Sequence, residues 1–302
     1  MGRYRNLLLF LVLSVVWGSA FVAIKAGLAD IPPVLFAAIR YDIAGVLMFA
    51  YMMIAVEQWR PRNREDWAAV AVGAVFLIAG YHVFLFVGEQ GTTSAAAAVI
   101  VSLSPVLTTG FARLFLPQER LTIAGIAGMV FGLIGVGILV SPDPANLLTE
   151  NVVFSLLVFG AALSFAFGSV LTRWLDADLP IETMEAWSMA GGAILMHGIA
   201  LTLPGERLSA VTWSPRALLA LGYLSVVASA VGFLIYFDLL ERLGPVEINL
   251  VSYLAPVVAA IVGVVLLGEV IDISTALGFV CIASGFALLK RRALASELSR
   301  FT

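Results

Sequence analysis

The chain is a series of long apolar stretches separated by short polar punctuation. Stretches bounded by charge, Pro or Gly lie near 6–28, 33–56, 67–87, 92–115, 121–140, 153–174, 180–203, 215–240, 245–267 and 272–290. Each is about 20 residues long, which as an α-helix matches the hydrocarbon thickness of a bilayer, about 30 Å. The pattern predicts an all-α integral membrane protein with ten transmembrane helices joined by loops too short to fold alone. The first stretch, Leu7 to Leu28, is longer than a signal-peptide core and is expected to be retained as the first span.

A second pattern lies over the first. Glu119 is followed by Gly128 and Gly135, and Glu269 at the same spacings by Gly278 and Gly285. Leu13-Ser14-x-x-Trp17-Gly18-Ser19 returns as Leu163-Ser164-x-x-Phe167-Gly168-Ser169, and Pro33 with Gly45 returns as Pro180 with Gly192. These spacings predict two five-helix repeats, 1–145 and 146–302, within one membrane domain. Five is odd, so the second repeat enters the membrane inverted relative to the first. Inverted repeats are a common plan of secondary transporters, with the site near the midplane between the halves. The repeated glycines allow close helix contact, expected mainly within a repeat.

Composition removes several classes of function. Of 302 residues 61% are apolar and 12% charged, and the mean hydropathy is +1.03; a soluble domain carries about 25% charged residues. The single cysteine, Cys281, excludes an intramolecular disulfide and a cysteine metal cluster. The sequence has no GxxxxGK[ST] loop, which argues against ATP-driven transport by this chain alone. No metal, cofactor or nucleic-acid partner is expected. On one side of the predicted topology fall Arg3, Arg5, Arg60, Arg62, Arg64, Arg113, Arg120, Arg173, Arg242, Lys290, Arg291, Arg292 and Arg300. The other side has only Lys25, Arg207 and Arg216, and Arg40 lies within the second span. The positive-inside rule then places both termini in the cytoplasm.

Polar and aromatic residues at membrane depth are the candidate site, because a charge at the bilayer centre costs at least about 2.5 kcal/mol and needs a reason. Trp17, Tyr81, His82, Ser104, Phe167, Tyr236, Asn249, Ser252 and Tyr253 form the expected cavity lining. Aromatic faces with hydroxyl and amide groups and few charges suit a ligand with an apolar body and a small polar head. Trp59, Trp67, Trp174 and Trp213 sit where interfacial anchors belong. Pro105 and Pro256, at matching places in the repeats, are expected to be hinges that free the carbonyls of Val101 and Ser252. Arg40 needs a partner at depth. Glu89 is the expected ion-pair acceptor, with a substrate carboxylate as the alternative. Glu119 and Glu269 fall at opposite membrane faces and are expected to cap and tether the turns between helices.

Trp17-Gly18-Ser19, Pro33 with Arg40, Pro105 with Glu119-Arg120, and Pro256 with Gly268-Glu269 resemble the EamA-type branch of the drug/metabolite transporter superfamily, over nearly the whole chain. One departure is Pro117-Gln118 before Glu119, where the second half has Leu267-Gly268. Within the superfamily the chain is most similar to YddG-type amino-acid exporters. The resemblance implies alternating access in a bacterial-type inner membrane and export of small amphipathic metabolites, amino acids including aromatic ones among them. Transport of sugars, nucleosides or drugs is the alternative. Lipid scrambling stands behind it, as does a membrane-embedded enzyme, for which the sequence offers no nucleophile–base set. Partners are then a small-molecule substrate and membrane lipids, with the chain a monomer or homodimer.

Overall fold

The computed structural model describes residues 2–116, 123–140, 149–243, 248 and 250–289. A helix lies under every predicted span: α1 Gly2–Gly27, α2 Pro33–Ala55, α3 Arg64–Glu89, α4 Ser94–Phe115, α5 Ile123–Val140, α6 Glu150–Leu175, α7 Ile181–Thr202, α8 running through Pro215–Gly222, Tyr223–Val231 and Gly232–Leu243, α9 Val251–Leu267 and α10 Ile273–Leu289. No strand occurs among the described residues. Length and composition suffice for a membrane crossing in α1, α2, α3, α4, α6 and α8, while α5, α9 and α10 carry shorter apolar helices. Large apolar side chains remain uncovered around the bundle, including Ile54, Ile123, Leu201, Leu219 and Val265. A lipid solvent accounts for that belt; water would not tolerate it. Glu119, Arg120 and the basic tail from Lys290 lie outside the described residues.

Consecutive helices run in alternating directions. One end of the bundle, here the near end, holds Arg5, Trp59 and Asp238. The far end holds Lys25, Glu89, Ser94 and Glu269. Helix starts follow ordinary capping chemistry: Asn63 Oδ1 accepts from Asp66 N at 2.7 Å, Thr93 Oγ1 from Ala96 N at 3.1 Å, and Ser214 Oγ from Ala217 N at 3.1 Å. Two helices contain a wider-wound segment that the sequence pattern did not predict. Gly73–Gly80 within α3 and Tyr223–Val231 within α8 are π-helical. One lies within each of the two expected repeats. Each π-segment changes the backbone ladder and presents carbonyls to neighbouring side chains.

The repeated glycines meet across the bundle rather than within a repeat. α5 and α10 pack antiparallel, and a Cβ added at Gly135 would lie 2.7 Å from the Gly278 carbonyl oxygen, as one at Gly278 would from that of Gly135. A Cβ at Gly285 would fall 2.5 Å from the Gly128 carbonyl oxygen. The first glycine of one copy thus meets the second of the other, in both directions. The expectation of contact inside each repeat is corrected: backbone-to-backbone approach is needed where two apolar helices from different halves cross. Replacing Gly135 by Val is expected to destabilise the protein by about 1–3 kcal/mol through overpacking, read as a lowered melting temperature in detergent. Gly137→Ala, where nothing lies within 4 Å of the added carbon, is the control and should leave it unchanged or raised.

Candidate functional site

The π-segment of α8 is where the predicted site residues begin to converge. Trp17 of α1 donates its indole Nε1–H to the Ala228 carbonyl at 3.1 Å. On the next residue, Ser229 Oγ accepts from Arg40 Nε at 3.3 Å and Nη2 at 3.2 Å. An indole and a guanidinium from two helices of the first half therefore dock on consecutive residues of the second. Trp17 also meets the rings of Tyr236 at 5.4 Å and Phe233 at 6.0 Å. Arg40 lies 5.1 Å from the Tyr41 ring centroid and 6.0 Å from that of Phe86, both within cation–π reach.

The opposite side of Arg40 is closed by a buried pair. Tyr41 Oη and His82 Nε2 are 2.8 Å apart, and His82 Nδ1 is 2.8 Å from the Ile78 carbonyl oxygen. Nδ1–H donates to that carbonyl, so a neutral ring accepts the Tyr41 proton on Nε2. His82 is thus fully engaged, and it orients Tyr41 and packs against Tyr81 at 4.6 Å. Glu185 of α7, buried and within electrostatic reach of both Tyr41 and Tyr236, adds a carboxyl group to the same region. Sequence reasoning passed over Glu185, although a charge inside the seventh span was a signal available for it. Tyr41 and Ser229 had no such signal, since their roles depend on the π-segment.

Other predicted residues occupy separate places. Phe167 sits in its own ring cluster, 5.1 Å from Phe76, 5.4 Å from Phe111 and 5.7 Å from Phe115. Near it, Ser164 Oγ donates to the Phe76 carbonyl in the π-segment of α3 at 2.8 Å. Tyr253 packs on Phe286 at 4.4 Å with its buried hydroxyl unpartnered, and Ser252 beside it is half-buried. Asn249 lies outside the described residues.

Two expectations are corrected. The carbonyl of Val101 is not bare, because Ser104 Oγ donates to it at 2.7 Å. α4 breaks at Ser102–Leu103, and Pro105 starts the second segment, where a missing N–H costs little; Pro256 sits inside α9. Nor do Arg40 and Glu89 form an ion pair. The guanidinium turns its Nε and Nη2 to Ser229, and both Glu89 carboxylate oxygens are buried without a partner.

The far end is tied shut by bonds that run between the halves. Glu206 accepts from Val34 N at 3.1 Å and Leu35 N at 2.8 Å, capping α2. Glu269 accepts from Ser94 N at 2.9 Å and Ser94 Oγ at 3.1 Å, capping α4. It reaches there because Gly268, at φ +65°, reverses the chain after α9. Glu269 therefore caps a helix of the other half rather than tethering its own turn. Ser214 Oγ donates to Asp30 Oδ2 at 2.6 Å. At the near end a cavity of about 400 Å³ opens among α2, α7 and α8, lined by Tyr51, Glu182, Leu234, Phe237 and Asp238. Asp238 there is held by Arg5 at 3.3 Å and Arg242 at 2.9 Å. Among the described residues no three His, Cys, Asp or Glu side chains gather as metal ligands.

Comparison with known proteins agrees with this architecture. The chain matches the EamA-like transporter family over residues 5–141 and again over 153–291. It is 31% identical over 275 residues to the uncharacterized inner membrane transporter YedA of Escherichia coli (strain K12), covering 89% of this chain and 87% of that protein. It is 25% identical to the uncharacterized transporter YoaV of Bacillus subtilis (strain 168), covering 90% and 92% respectively. A solved crystal structure, 25% identical, superposes with a TM-score of 0.67 over 96% of this chain and 99% of that one. Two matches of one family, one in each half, on a helical bundle with a lipid-facing belt lead to a single assignment: the chain belongs to the EamA-like transporter family.

Proposed function

We propose that this transporter exports small amphipathic metabolites, amino acids including aromatic ones, by alternating access between two inverted five-helix halves. Its setting in this reading is a bacterial-type inner membrane, as named for the Escherichia coli relative, with both termini and the near end cytoplasmic. The observation that carries the substrate class is the docking of Arg40 and Trp17 on Ser229 and Ala228. A buried guanidinium that bonds a hydroxyl and no carboxylate of the described residues would be matched by a substrate carboxylate, and indole and phenol faces next to it suit an apolar or aromatic side chain. Support for the two halves comes from the doubled family match, the reciprocal glycine crossing and the paired π-segments. Bonds between the halves at one end and a cavity at the other suit a state open toward the cytoplasm.

Protein reconstituted in liposomes and given labelled amino acids, sugars and nucleosides in parallel is expected to move amino acids above empty liposomes, aromatic ones included. Movement of sugars or nucleosides alone contradicts the reading. The carboxylate assignment has its own test. Arg40→Gln is expected to reduce phenylalanine transport about thirtyfold or more, on the order of the 2–5 kcal/mol lost when one member of a buried charge pair is removed. Transport of phenethylamine, which lacks the carboxylate, should not fall with it. Equal loss of both would assign Arg40 to packing.

A further inference from the structure

Glu89 is the one acidic side chain among the described residues that is fully buried with both carboxylate oxygens unpartnered. It ends α3 at the far end, beside the bonds that join the halves. No charged group facing it donates a hydrogen bond to its carboxylate. Lys25 on α1 donates its Nζ to the backbone carbonyls of Glu89 at 2.7 Å and Gln90 at 3.1 Å, not to the carboxylate. Arg40 on α2 donates to Ser229. Glu269, following α9, is itself an acid and is bound to Ser94 of α4. From α6, Phe154 and Val158 approach Gly88 and bring no polar side chain. An ionised carboxylate with no hydrogen-bond donor in such a place is far more costly than the neutral acid.

We propose that Glu89 is a proton-binding site, and that the closed far end is its protonated form. This rests on the alternating-access reading above. Closure takes a proton from water at the far side onto a Glu89 carboxylate oxygen. Opening parts Glu269 from Ser94, admits water to Glu89 and returns the proton to the same side. One proton is bound per closing event, so across the titration the ratio of closed to open molecules falls about tenfold for each pH unit of increase. The sign identifies the group. Protonating Glu269 would remove the acceptor that holds Ser94 and would open the same end as pH falls.

The test needs no substrate. Gln90 and Val270 are exposed on opposite halves, so Gln90→Cys and Val270→Cys on a Cys281→Ser background accept a pair of spin labels. Electron–electron distances are then measured in lipid nanodiscs from pH 5 to 9. The short-distance population is expected to grow as pH falls, and Glu89→Gln is expected to remain at the short distance throughout. Glu269→Gln, which weakens the cap, provides the long-distance reference. The proposal is overturned by a Glu89→Gln variant that titrates as the parent does. Growth of the short population with rising pH, or no titration in the parent while Glu269→Gln opens, overturns it equally. A single distance in every variant at every pH would remove the rocking motion itself, and this site with it.

Discussion

A helix in lipid has no water to complete its backbone, so any hydrogen bond given up by the ladder must be taken up by another group. That constraint accounts for most of the polar chemistry in this bundle. The π-segments of α3 and α8 present carbonyls at depth, and Ser164, Trp17 and His82 take them. The break in α4 releases the Val101 carbonyl, and Ser104 takes it. At the far end, orphan amides of α2 and α4 are met by Glu206 and Glu269, and carbonyls at the end of α3 by Lys25. Many of these bonds run between the first half of the chain and the second. The backbone's need for partners thus ties the first part of the chain to the second.

The same bonds are distributed unevenly along the bundle. α5 and α10 approach backbone to backbone through glycines, with little room for sliding. The far-end caps are single carboxylates on helix starts whose residues Val34, Leu35 and Ser94 are buried. Between them, aromatic rings around Trp17 and Phe167 form two clusters that offer broad apolar faces rather than fixed ionic contacts. In the proposed reading, a lining of that kind would tolerate different side chains on a ligand and the buried guanidinium would orient it.

Much of this could be read before any coordinates. Apolar run length placed every helix, and the repeated spacings around Glu119 and Glu269 fall one in each of the two family matches. Depth alone marked Trp17 and Arg40. What escaped has physical reasons. Gly73–Gly80 and Tyr223–Val231 read as ordinary apolar helix, because π-winding leaves no mark in hydrophobic periodicity, and without the second of them Ala228 and Ser229 give no hint of receiving Trp17 and Arg40. The pairing of Arg40 with Glu89 looked natural from charge alone, but charge does not say which donor a hydroxyl such as Ser229 has already claimed. The glycines announced a close crossing without naming the partner helix. Glu185 was legible and was missed, since a charge near a span's start resembles an interfacial residue.

The account depends on the far-end contacts breaking and re-forming during transport. The direct measurement joins the two halves there. Ser94→Cys and Glu269→Cys, on a Cys281→Ser background, are bridged by a short thiol-reactive cross-linker with a reducible bond, and uptake of labelled phenylalanine into liposomes is followed. The account predicts that bridging stops uptake and that reductant restores it. Undiminished uptake by fully bridged protein would contradict it.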